Sequence, residues 1–169
     1  MTRPVPEYTA ADLEHLNSVE LPRMSNDDAV ALGLIAVQVI QEWDLSLAVD
    51  IVLAGDLVFR AKLKSTGSDN DPWLAGKAAT VNRFGEPSLL VKLRHLEAGT
   101  PFANRADIDH DTFKAHGGSI PLRVGGVIVG TITMSGEPDA IDHEAAAEAL
   151  SRFVSQMDSA STSRQQYLR

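Results

Sequence analysis

The apolar positions of this chain repeat in two different ways, and the change between them marks out its elements. Residues 29–40 contain one polar side chain, Gln38, and follow Ser25-Asn26-Asp27-Asp28. That run supplies a helix cap and first-turn acids, so a helix is predicted from there to about Trp43. It has no solvated stripe and is too short to cross a bilayer, so it is expected to be buried on most sides. One small sheet covers only one face of a helix, and a second chain is expected to cover the rest. A short helical turn and a possible edge strand at residues 18–21 precede it.

Period-two alternation then takes over. A three-residue loop, Ala54-Gly55-Asp56, places Leu47, Val49, Ile51 and Leu53 on one face with Leu57, Phe59, Ala61 and Leu63, and sets Asp50 opposite Arg60. Asp71-Pro72 opens a helix whose face carries Trp73, Lys77, Thr80, Val81 and Phe84, and Gly85 ends it. A second helix spans about residues 87–97, before an irregular loop at 100–110. The segments 119–124 and 127–134 form a hairpin turning on Gly125-Gly126, with Pro121 restricting its strand to an edge. After Ser135-Gly136-Glu137-Pro138, Asp139 or Asp142 caps a last helix with the stripe Ala146, Ala149, Leu150, Phe153, Val154 and Met157. The order predicts an α+β fold, a profilin-like antiparallel sheet flanked by helices. A single domain is expected over residues 1–169, with loose ends at about 1–10 and 159–169.

Composition narrows the function. The 169 residues include no cysteine, which removes disulfides and thiolate chemistry and suits a cytoplasmic protein. No apolar run reaches the ~20 residues of a membrane span, and the N-terminus lacks a signal-type apolar core, so no membrane association is expected. A formal charge of −8 opposes a phosphate backbone, so no nucleic-acid partner is expected.

The run His116-Gly117-Gly118-Ser119-Ile120-Pro121, then residues 130–136 (Gly-Thr-Ile-Thr-Met-Ser-Gly) and Asp142-His143, resembles the heme-degrading-domain family that includes GlcG- and HbpS-like proteins, in particular its largely uncharacterised cytoplasmic branch. Trp73-x-x-x-Lys77 and Val81-x-x-Phe84 form a second anchor, and the resemblance spans most of the chain. Gly76 stands where that branch often has an arginine, and Glu86-Pro87 replaces a serine-rich approach to Ser88. The resemblance implies a sheet of about five strands, assembly into homo-oligomers, and heme binding in some members. It implies no agreed reaction.

Several residues have chemistry to offer. His116, beside two glycines that permit close backbone approach, can act as base, donor or iron ligand, or simply bond a neighbouring carbonyl. Lys77 can lie over the Trp73 indole, reach an anionic group such as a propionate, or snorkel its stem over a Trp-anchored helix. Asp142 and His143 can pair across to another strand or subunit, although capping accounts for the aspartate equally well. Ser135 lies in a turn without the glycine framing of a nucleophile elbow. Asp107-x-Asp109-His110-Asp111 lacks the spacing of a metal loop, so no metal site is expected. The ligand-binding set is therefore Trp73, Lys77, His116, Gly117, Gly118, Ser135, Asp142 and His143. Three functions remain open: a small-ligand binder taking heme or a related tetrapyrrole non-covalently, a non-catalytic oligomeric scaffold or chaperone partner, and an enzyme using Lys77 and His116.

Overall fold

A computed structural model describes residues 3–168 of the chain. Its sheet has four antiparallel strands in the order β2-β1-β4-β3, with β1 at Ala48–Leu53, β2 at Asp56–Lys62, β3 at Ser119–Val124 and β4 at Val127–Ser135. The helices are α1 (Ala10–Leu13), α2 (Asn26–Glu42), α3 (Asp71–Phe84), α4 (Ser88–Glu97) and α5 (Asp139–Tyr167). The expected five strands are thus four. The candidate edge strand at residues 18–21 gives only one parallel bridge, from Leu21 to Val124, where Leu21 N donates to Arg123 O at 2.8 Å. A 3-10 turn through Ser18 and Pro22 just beyond Leu21 leave too little extended backbone for a ladder.

The first hairpin keeps Asp50 opposite Arg60, as the alternation requires, but reaches that register by another route. Its loop is the two-residue Ala54-Gly55, with φ of 49° and 83°, and a bulge between Ile51 and Val52 absorbs the odd residue. Two positive φ values give the turn a twist that matches the strands, which a three-residue loop would supply less directly. As a result Leu57 pairs with Val52 and is 49 % exposed, outside the core it was expected to join. At the other edge, β4 is the only strand paired with β3, and the Leu21 bridge touches β3 only at its far end, which leaves Pro121 on an open edge.

Alternation divides the sheet into two faces. Val49, Ile51, Ile120, Leu122, Ile132 and Met134 point into a core completed by α2 and α5. Ser119, Thr131, Thr133 and Ser135 occupy the opposite face, against which α3 packs. Ser25 starts α2 with a reciprocal cap: its Oγ accepts from Asp28 N at 3.1 Å and its N donates to Asp28 Oδ2 at 2.9 Å. Leu32, Ala36, Val39 and Ile40 of α2 are fully buried, and Gly33 lets the Phe59 ring lie where a Cβ would come within 2.3 Å of it. The outer side of α2 stays apolar and open, with Val30 40 % and Leu34 60 % exposed. Within one chain this helix is covered on one side, not on most. The C-terminal end, expected to be loose, continues α5 as an exposed helix to Tyr167. Residues 1, 2 and 169 of the expected loose ends lie outside the described residues. No helix among the described residues is long and apolar enough to cross a membrane.

Candidate functional site

The site forms where α3 crosses the ends of β3 and β4 and meets the first turn of α5. Gly85, in the left-handed conformation at φ 73°, stops α3, whose buried side presents Leu74, Lys77, Thr80 and Val81 to the sheet. Lys77 is 3 % exposed, and its Nζ donates to Met134 O at 2.9 Å and to Asp142 Oδ2 at 2.8 Å. Asp142 reaches it from α5 while its Oδ1 accepts from Glu137 N at 2.9 Å, so this carboxylate both caps the helix entry and pairs the lysine. Burial pushes the Asp142 carboxyl up to about 6, with the Lys77 ammonium and the Glu137 N–H pulling the other way, and it remains ionised at neutral pH.

The two glycines after His116 are fixed by the same crossing. Gly118, at φ 137°, would place a Cβ 2.3 Å from Met134 O and 3.0 Å from Lys77 Nζ. At Gly117 a Cβ would fall 2.2 Å from Asp139 O, and its N–H donates to Asp139 Oδ2 at 3.1 Å. His116 is therefore held at the lip with its Nδ1 3.9 Å from Asp139 Oδ2 and its ring edge-on to Trp73, centroids 5.1 Å apart. Burial depresses its pKa against the pull of Asp139, so the imidazole is neutral at pH 7 and presents a lone pair. Burial works against the Asp139 charge as well, yet Lys92 at 2.8 Å and the Gly117 N–H keep its carboxyl below the usual range.

Trp73, Lys77, His116, Ser135 and Asp142 line one cavity of about 410 Å³, with Asp139 and Asn70. Ser135 is buried at its wall, where its Oγ accepts from Asn70 Nδ2 at 3.3 Å. Lys77 and His116 thus share a cleft, but in different capacities. The Lys77 ammonium is committed to Asp142 and a main-chain carbonyl rather than to the Trp73 indole. The cation over that indole is Lys114, its Nζ 4.7 Å from the ring centroid. His143 does not join the site. It is 1 % exposed, edge-on to Tyr8, and on an α-helix the residue after Asp142 points some 100° away from it. In the 100–110 loop Asp107 pairs with Arg105, while Asp109 accepts from Asp111 N and Thr112 Oγ1.

Sequence reasoning missed Lys92 and Lys114 and treated Asp139 only as a cap. Lys92 is a half-buried charge on α4 and Lys114 lies in a loop, so neither belonged to a periodic apolar set. The Gly76 departure was the one available signal for Lys114, because that glycine leaves room for the lysine stem.

A four-stranded antiparallel sheet with two helices on one face, and with a lysine–carboxylate pair and a histidine under a crossing helix on the other, defines an α+β protein with a half-enclosed polar cleft. Residues 24–151 match the model of the haem degrading protein HbpS-like family, and the chain belongs to that family. A UPF0303 protein of Streptomyces coelicolor is 42 % identical over 148 residues, spanning 86 % of this chain and 94 % of the relative. A UPF0303 protein of Streptomyces avermitilis is 36 % identical over 151 residues, spanning 89 % and 90 %. Among solved structures, Ybr137w superposes with a TM-score of 0.77 at 25 % identity, covering 87 % of this chain and 88 % of that one. A PduOC:heme complex superposes with a TM-score of 0.63 at 23 % identity, covering 79 % and 94 %, and shares the fold.

Proposed function

We propose that the protein is a small-ligand binding protein whose cleft takes heme or a related anionic planar molecule, with His116 as the contact to its centre. The observation that carries this reading is a neutral imidazole at the lip of a cavity, edge-on to Trp73 and backed by Asp139. The family's haem description and a neighbour of the same fold solved with heme support it. A histidine with a carboxylate behind it is a ring whose tautomer and direction can be set when it ligates iron. When bound, heme would supply the iron, and this chain would supply the imidazole, the indole wall and cations for acid groups. Lys77 is a poor choice for a propionate because freeing it would strand Asp142, and Lys92 is held by Asp139 in the same way, so Lys114 at the lip takes that part.

A hemin titration followed by absorbance tests the reading. Wild type should give a saturable, stoichiometric Soret change, and His116→Ala a weaker or shifted one. A spectrum identical to hemin with an unrelated acidic protein would end it.

We further propose that the protein works as a homo-oligomer. Val30 and Leu34 on the outer side of α2 form an exposed apolar strip that a second copy would cover. Sedimentation at micromolar concentration should show at least a dimer, and Leu34→Glu should shift it toward single chains. A wild-type monomer throughout a wide dilution range would overturn this assembly.

A further inference from the structure

On the far side of Trp73 and His116 lies a second cavity, of about 530 Å³, whose character differs from the first. Phe102 and Phe113 line it, Leu96 is 49 % exposed at its rim, and Lys92 and Lys114 stand at its edge. The first cavity, by contrast, is ringed by Asp69, Glu137, Asp139 and Asp142. A cleft with an acidic half and an apolar half edged by cations has a polarity, and the apolar half is suited to a flat molecule carrying a negative group.

Lys114 is the residue that gives this half its charge. The chain has five lysines; Lys62 pairs Asp71, Lys64 pairs Asp44, Lys77 pairs Asp142 and Lys92 pairs Asp139. Among the described residues Lys114 has no carboxylate partner, in a chain of formal charge −8. Its Nζ donates to His110 O at 3.3 Å and lies over the Trp73 ring, so it faces the cavity mouth and not open solvent alone. Its placement is built into the fold. Lys114 N donates to Gly76 O at 3.0 Å, and its stem crosses α3 where a Cβ on Gly76 would come within 2.6 Å of its Cγ. The glycine in α3 costs helix propensity and in return seats a cation.

We propose that this cavity is a subsite for an aromatic carboxylate, with the acid group on the Lys114 ammonium and the rings against Trp73, Phe102 and Phe113. The proposal rests on the cleft being a small-ligand site but not on heme being its occupant. A carboxylate there would form a charge-assisted hydrogen bond at a partly desolvated lysine, and the rings would displace water from an apolar wall.

The probe is 1-naphthoate, titrated calorimetrically into the full-length protein, with its neutral amide, 1-naphthamide, as the control. Wild type should bind naphthoate saturably and the amide at least tenfold more weakly. Lys114→Gln, a change at a partly exposed side chain, should weaken naphthoate about tenfold and leave the amide unchanged. Equal affinity for acid and amide, no saturable naphthoate binding, or indifference of naphthoate to Lys114→Gln would overturn the proposal. Hemin run in parallel separates the two ideas. Naphthoate binding without a hemin Soret change keeps the subsite and ends the heme reading, whereas a His116-dependent Soret change without naphthoate binding does the reverse.

Discussion

The two faces of β4 run side by side along one strand and are equally closed to water, yet they are held together by different physics. Ile132 and Met134 are fully buried against α2 and α5, while Thr131, Thr133 and Ser135 are 1 %, 0 % and 4 % exposed beneath the α3 side. The apolar face asks only for volume to be filled, and its contributions accumulate contact by contact. The polar face asks for partners. Ser119 Oγ and Thr133 Oγ1 lie 2.8 Å apart, Ser119 N donates to Ser88 Oγ at 3.0 Å, and Lys77 joins α3 to both β4 and α5. Removing one member there leaves another unsatisfied in a low-dielectric interior. Alternation in this strand therefore separates two interiors, not an inside from an outside, and the cleft opens on the interior that already holds polar groups.

Lys77 is where the two faces differ most in what a single substitution costs. Lys77→Met keeps the stem but leaves the Asp142 carboxylate buried without its cation, and should lower the unfolding free energy by about 3–5 kcal/mol. Ile132→Val, one methyl group removed from the apolar face, should cost about 1 kcal/mol. Adding Asp142→Leu to Lys77→Met should recover a good part of the loss, although not the bond from Glu137 N. Urea unfolding of the four proteins at pH 7.5 measures all of this. If Lys77→Met costs no more than Ile132→Val, or if the second substitution makes matters worse, the polar face does not depend on that pair and the contrast between the faces collapses.

Much of the fold was legible because burial writes itself into period. The α2 cap, the Gly85 stop, the Gly125-Gly126 turn and the restriction of Pro121 to an edge all follow from local stereochemistry, and the structure has each of them. The Ala54-Gly55 turn was misjudged because a bulge two residues away restores the register, and alternation alone cannot tell a long loop from a short loop plus a bulge. In the site, Lys77, His116, Ser135 and Asp142 were grouped from motifs that the structure brings to one cavity. Which of them is free for a ligand was not legible, because the Lys77–Asp142 pair joins positions 65 residues apart. His143 was grouped with its neighbour, but a helix turns adjacent residues to different surroundings.

His143 offers a smaller and finer test, because it is a polar group placed on the side of α5 that has no polar layer to receive it. It is 1 % exposed, and its Nδ1 has no hydrogen-bond partner among the described residues. Burial lowers its pKa to about 4, helped by His15 and opposed by Asp139 and Glu144. Above the ordinary value near 6.5 both folded and unfolded chains carry it neutral, and it has no effect on the pH dependence. As the pH falls below that value the unfolded chain takes up a proton that the folded chain refuses until about 4, so stability is lost across this window and then levels off. The full loss amounts to roughly 3 kcal/mol from the size of the shift. Asp142 acts in the opposite sense: with its folded value raised to about 6, the folded chain gains a proton first as the pH falls, which adds stability down to about 3.8. Wild type should therefore show a muted slope, and the His143 contribution emerges only by difference. His143→Leu removes that contribution while keeping Asp142, so its unfolding free energy relative to wild type should rise steadily as the pH is lowered from 6.5 to 4. Parallel curves for the two proteins over that range would mean that the imidazole reaches a proton partner in the folded chain, and that the α5 side is less strictly apolar than its packing indicates.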